Sequence, residues 1–264
     1  MLDILFFTSL GFYFLSMALN IISLAARKKT LSRIIWIVFL AGFTVHLAYF
    51  AARGIVAGRL PMSNQFEFAM SFALGIALTY IFLRIKFRAD WITTIALVST
   101  FLMTGYAATL PRAIKDLMPA LRSIWFTLHI FPAVFSYASF FLSGCAGLIY
   151  LVRMKKGEAE SEPKMRHIDH LSYRLVSFGL LFLTVVILTG MVWAEEAWSS
   201  FWSWDPKELW SFITWIVYAI YLHQRLHKKW QGKRMAIFSI IGVAIVLFTF
   251  VGVNTLLPGL HSYR

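Results

Sequence analysis

Eight long apolar runs divide this chain, and a lipid bilayer leaves such a run only one stable conformation. Hydrocarbon offers no water to a backbone N–H or C=O, so the segment must satisfy itself as a helix. About 20 mostly apolar residues, rising ~1.5 Å each, cross the ~30 Å core. Runs of that kind lie at roughly 4–25, 35–57, 67–83, 91–110, 124–152, 175–193, 208–226 and 235–253. They take up nearly all of the 264 residues. The sequence therefore predicts an all-α, polytopic membrane helical bundle of about eight transmembrane helices, with residues 1–264 forming a single integral membrane domain. Only 14% of residues are charged, against about 25% in an ordinary soluble domain. The first run has neither a basic leading region nor a clear small-residue cleavage site, so it reads as a retained span.

The net charge of +13 invites a nucleic-acid reading that its distribution excludes. Arg27, Lys28, Lys29 and Arg33 follow the first run, and Arg84, Lys86 and Arg88 the third. Arg153, Lys155, Lys156, Lys164 and Arg166 follow the fifth, and Arg225, Lys228, Lys229, Lys233 and Arg234 the seventh. The alternate connections are poorer in lysine and arginine. Cytoplasmic loops carry the basic excess, which places both termini on the outer (periplasmic) side. Anionic lipid headgroups are the expected counter-charges. The polar stretch at about 153–174 reads as a flexible cytoplasmic linker. On the outer side, 59–65 is a short loop with turn chemistry at Pro61, Ser63 and Asn64. Residues 111–122 form a second outer loop, partly helical. The single cysteine, Cys145, reads as a small packing residue.

The third outer segment, WAEEAWSSFWSWDPKELWSFITW at 193–215, holds six of the ten tryptophans. Pro206 suits the first turn of a helix. Asp205 before it is a good N-cap, and Glu208 stands where a capping box needs an acid. The seventh span is expected to start here. Two readings of the tryptophans stand side by side. One is the aromatic belt of a membrane interface. The other is a platform at about 193–210 for a flat, apolar, aromatic ligand, which gains large contact area at little entropic cost per side chain. The density favours the platform.

Topology sorts the seven histidines. His167, His170 and His227 fall on the inner side and read as solvated surface. His129, about five residues into the fifth span, and His261, beyond the eighth, fall on the outer side with the platform. Neutral imidazole is a good iron ligand, so two outer histidines beside an aromatic platform fit a haem held between them. His223 lies about 15 residues into the seventh span, and His46 lies near mid-membrane in the second. Ionisable groups at such depth point to function, with an interhelix hydrogen bond as the alternative for each.

The run WSWDPKELWSFITWIVYAIYLH at 202–223 resembles the signature of CcsA/ResC-type subunits of the System II cytochrome c synthase, within the haem-handling WWD-domain superfamily. PMSNQFE at 61–67, LRSIWFTLHI around His129 and GLHSY around His261 extend the resemblance over most of the chain. It implies that His129 and His261 are axial ligands to haem iron. It implies that His223 binds haem within the membrane, with a partner ligand from a CcsB/ResB-type subunit. Trp198, Trp202, Trp204, Asp205 and Glu208 would shape the platform, and His46 has no counterpart role. The implied substrate is haem b, joined by thioether bonds to the CXXCH motif of an apocytochrome c. The implied place is a bacterial inner membrane or a thylakoid. Arg53, Arg59, Arg112 and Lys207 are outer cations within reach of haem propionates or of lipid phosphates. A haem transporter or chaperone, a regulator of haem synthesis on the same fold, and a generic transporter are the alternative functions. The last is disfavoured because Pro132 is the one proline well inside a span.

Overall fold

The computed structural model describes residues 1–27, 29–227 and 229–256. Among them there are helices and no strands, arranged as two compact units that divide after Asp116. Seven of the eight long helices are sufficiently long and apolar to cross a membrane. This is a multi-pass membrane protein.

The first unit contains α1 (Leu2–Ala25), α2 (Ser32–Ala57), α3 (Gln65–Phe87) and α4 (Thr93–Ala108). On α1 the buried residues are Phe6, Ser9, Tyr13, Ser16 and Asn20. On α2 they are Ile35, Phe39, Gly42, His46, Tyr49 and Arg53. Both sets step by three and four, so each is a single stripe on a helix of 3.6 residues per turn. Gly42 lets the two stripes close, since a Cβ there would lie 2.9 Å from Phe12 Cβ. Against it the Tyr13 hydroxyl meets His46 Nδ1 at 3.1 Å. The outward sides, with Phe7, Phe14, Ile21, Ile37 and Leu47 exposed, are as apolar as lipid requires.

A charged cluster closes one end of this unit. Gly58, left-handed at φ 65°, stops α2, and Asn64 caps α3 by accepting from the Glu67 backbone N–H at 2.9 Å. The Glu67 carboxylate, fully buried, takes Arg53 Nε at 3.0 Å and Arg59 Nη1 at 2.8 Å. It also accepts from the Ser63 backbone N–H and hydroxyl, both at 3.0 Å. Arg53 Nη2 lies 2.9 Å from the same carboxylate, but its alignment makes it an ion pair without a hydrogen bond. Arg53 Nη1 donates to the Arg112 carbonyl at 2.9 Å, and Arg112 pairs with Asp3 at 3.1 Å.

The second unit contains α5 (Ile124–Lys155), α6 (Pro163–Trp198), α7 (Pro206–His227) and α8 (Lys233–Leu247), the last continued by a π turn, Phe248–Gly252, and Val253–Leu256. Small residues bring its helices together, as is usual where lipid supplies no hydrophobic drive between spans. Gly147 of α5 faces the Ala236 carbonyl of α8, 2.5 Å from where a Cβ would stand. Ser136 donates to the Gly179 carbonyl at 2.9 Å, and Ser143 meets Ser172 at 3.0 Å, both joining α5 to α6. Phe140 and Tyr218 stack at 3.6 Å between α5 and α7.

Two elements differ from the expectation. The linker expected at about 153–174 is helical from Pro163 onward. Pro163 starts the helix, Met165, Ile168 and Leu171 are buried on it, and Asp169 pairs with Arg225 at 2.7 Å. Only 156–162 separate the two helices. At its other end α6 runs on through Trp198, so the non-helical part of the tryptophan-rich segment is 199–205. The seventh of the expected spans, α7, has 22 residues. It is the one long helix not apolar enough to count among the seven, with Lys207, Glu208, Gln224 and Arg225 near its ends.

Replacing Glu67 with Gln keeps the shape of the cluster but leaves two arginines without a counter-charge. Removing one partner of a buried ion pair costs about 3–5 kcal/mol, so thermal unfolding of Glu67→Gln in detergent is expected at a clearly lower temperature. Arg59→Gln, which removes the more accessible partner, is expected to cost less. An unchanged midpoint for Glu67→Gln would remove the cluster from the forces that hold this unit.

Candidate functional site

The start of α5, the end of α6 and the start of α7 meet at one end of the second unit. His129 lies on α5, half-buried, with Nδ1 2.8 Å from the Val186 carbonyl of α6. A carbonyl only accepts, so Nδ1 carries the proton and Nε2 carries the lone pair of a neutral ring. A histidine that ligates a metal is usually held this way, its second nitrogen donating to a carbonyl or carboxylate. Trp193 of α6 stacks on the His129 ring at 5.7 Å and 25°. Trp193 is itself fixed by donating Nε1–H to the Ala120 carbonyl at 2.8 Å and by Phe126 at 5.2 Å. Trp198 meets Trp193 edge-on at 4.9 Å, and Ser123 bonds Glu196 across the same end. Gly190 makes room for the ring: a Cβ there would stand 2.6 Å from His129 Nδ1.

A second group is built around the start of α7. Asp205 accepts from the Lys207 N–H at 2.9 Å, and Glu208 accepts from the Asp205 N–H at 3.2 Å, the capping box the sequence predicted. Glu208 also accepts from the Ser203 N–H at 2.8 Å and from its hydroxyl. One carboxylate thus ties down both sides of Trp204. That residue is left-handed at φ 59°, a conformation an L side chain adopts at a cost of about 1–3 kcal/mol, and it is 67% exposed. Trp202 stands perpendicular to it at 5.8 Å and also contacts Phe212.

The structure therefore gathers His129 and Trp198 through Trp193, and Trp202, Trp204, Asp205 and Glu208 through the α7 cap. His223 stands apart, 17 residues along α7 from Pro206, or ~26 Å at the helical rise. It is exposed, with the His227 ring 4.6 Å away. His261 lies outside the described residues. His46, in the first unit, is fully buried beside Tyr13. Of the cations proposed for propionates, Arg53 and Arg59 are engaged by Glu67 and Arg112 by Asp3. Sequence reasoning missed Gly190 and the Val186 carbonyl. Only their approach across α5 and α6 gives them meaning, and neither has a local signal. In the sequence Trp193 is one tryptophan among six, and its position five residues before Trp198 gives no guide to its stacking on His129.

Known proteins resemble this chain over most of its length. The model of a family described as Cytochrome C assembly protein matches residues 62–261, a range that includes His129, His223, His261 and the tryptophan-rich segment. A Cytochrome c biogenesis protein CcsA of Chlamydomonas reinhardtii is 37% identical over 217 residues, 78% of this chain and 62% of that protein. This chain thus spans less than two thirds of that relative's length. The protein of the same description from Prochlorococcus marinus (strain MIT 9515) is 35% identical over 287 residues, 96% of this chain and 90% of the relative. One from Guillardia theta is 35% identical over 237 residues, covering 80% and 79%.

Trp204→Gly is expected to keep or raise the thermal midpoint, because glycine adopts a positive φ freely. Glu208→Ala is expected to lower it by freeing the Ser203 and Asp205 donors. The pair is read by differential scanning calorimetry in detergent. A loss of stability in Trp204→Gly matching that of Glu208→Ala would mean that the indole packs rather than presents itself.

Proposed function

This chain belongs to the cytochrome c assembly protein family, of the CcsA type, and from that premise we propose how it serves cytochrome c maturation. It binds haem and presents it on the outer face of the membrane for covalent attachment to the CXXCH motif of an apocytochrome c. It works in a complex with a CcsB/ResB-type membrane partner, in a bacterial inner membrane or a thylakoid, with both termini outside.

The observation that carries this reading is the setting of His129. Its Nδ1 donates to the Val186 carbonyl, its ring is stacked on a fixed Trp193, and Nε2 is the nitrogen that would ligate iron. Imidazole held in one tautomer and one orientation is what an axial iron ligand requires. His261 is the second axial ligand. Trp198, Trp202 and Trp204 cover the porphyrin faces and edges, while Asp205 and Glu208 hold the turn that presents Trp204. His223 binds haem earlier on its way, with an opposing ligand from the partner subunit.

The chemistry is the addition of a thiol across a vinyl group. A sulfur–carbon bond forms, the thiol proton ends on the neighbouring vinyl carbon, and there is no net oxidation or reduction. The substrate supplies both thiols, so the protein needs no nucleophile. Its contribution is to hold the vinyl groups where the thiols arrive, which makes the addition effectively intramolecular. The histidine of CXXCH then displaces one of the two axial histidines, its iron–nitrogen bond forming as the other breaks, and the product leaves. The ligation activity belongs to the complex.

The test is the visible spectrum of the complex purified in detergent, oxidised and reduced. Wild type is expected to show a bis-histidine haem. His129→Ala and His261→Ala are each expected to lose or shift it and to regain it with added imidazole. Gly190→Ala, which crowds His129, is expected to shift it in the same direction. A wild-type complex without haem would overturn the proposal.

A further inference from the structure

His223 and His227 stand one turn apart on α7. Both are exposed, with ring centroids 4.6 Å apart and planes inclined by 31°. The same face carries Phe212, Ile216 and Ile220, all exposed. Spacings of four, four, three and four make these five residues one stripe along the helix. The stripe is apolar toward the tryptophan-rich end and imidazole toward the other. Just beyond His227 the chain presents Lys229, Lys233 and Arg234, all exposed.

Two imidazoles on one helix face lie on the same side of any porphyrin laid against it. Trans-axial ligands approach iron from opposite sides, so His223 and His227 cannot serve one iron together in that way. They are alternatives. A porphyrin is an apolar disc with anionic propionates on one edge. The stripe offers apolar cover beside His223, and cations for the propionates beyond His227.

We infer that His227 is an entry ligand for haem, from which the iron passes to His223. This rests on the haem-binding reading above. The transfer is a ligand exchange: the iron–nitrogen bond to His227 breaks as the bond to His223 forms, with no change of iron oxidation state and no net proton movement. His227 in the last turn also suits the negative end of the helix dipole, as any cation would there. That role alone would be filled equally by lysine.

The test follows ferrous haem binding by stopped-flow absorption in the complex with its partner subunit. A His129→Ala, His261→Ala background isolates the α7 site. His227→Ala and His227→Lys are each expected to slow filling about tenfold, the lower end of what loss of a supporting group costs at a metal site, with the final bis-histidine spectrum kept. His223→Ala is expected to retain a weaker histidine-ligated haem that His223→Ala with His227→Ala loses. Wild-type filling rates in His227→Ala, or full rescue by lysine, would overturn the entry role. So would a His223→Ala spectrum no different from that of the double variant. A background protein that takes up no haem at all would instead sink the haem-binding reading, and the entry role with it.

Discussion

Hydrocarbon supplies no hydrogen-bond partners, and buried polar groups in these helices find theirs within the chain. Thr100 returns its hydroxyl to the Ala96 carbonyl at 2.8 Å, and Thr104 to Thr100 at 2.7 Å. Asn20 accepts from Thr94 across two helices. The carboxylate of Glu67 collects two guanidiniums and a backbone N–H. Such a group is tolerable only when its partners are all in place, so α2, α3 and the loop between them are specified together. In the second unit, glycine and serine let carbonyls and hydroxyls of neighbouring helices reach each other.

The helical architecture could be read from the sequence because length and apolarity decide it in a bilayer. The start of α5 fell where it was expected, at Ile124, but the start of α6 was less legible. The notable case is α6, whose first ten or so residues look like a polar linker. They form helix because Asp169 finds Arg225, 56 residues away, and because Met165 and Ile168 are buried. A composition window sees the charges and not the partner. The α7 cap was readable in full, since Asp205, Pro206 and Glu208 act within one turn.

The candidate site divides along the same line. Residues whose roles are local or chemical could be named in advance: an imidazole near a helix end, and indoles in a dense cluster. The contacts that give them direction could not. The Val186 carbonyl that sets the tautomer of His129 is 57 residues distant, and a backbone carbonyl has no signature in sequence. The buried pairing of Arg53 and Arg59 with Glu67 likewise turns two apparent surface cations into internal structure. His46, with Tyr13 on its Nδ1, agrees with the interhelix hydrogen bond that was one of its two readings.

Phe140 and Tyr218 stack face to face between α5 and α7. Their rings are parallel within 2°. They are bounded by Gly179 of α6, whose added Cβ would stand 2.7 Å from Phe140, and by Gly242 of α8, whose added Cβ would stand 2.6 Å from Tyr218. A close-packed interior has discrete arrangements and little continuous give. These two rings therefore act as a rivet through four helices near the middle of α7, and α7 cannot slide or roll without prising open glycine contacts on both sides. The tryptophan-rich cap and the histidine pair at its two ends are held at a constant separation and azimuth. Any ligand passing from one end to the other must do the travelling itself, along a helix that stays still.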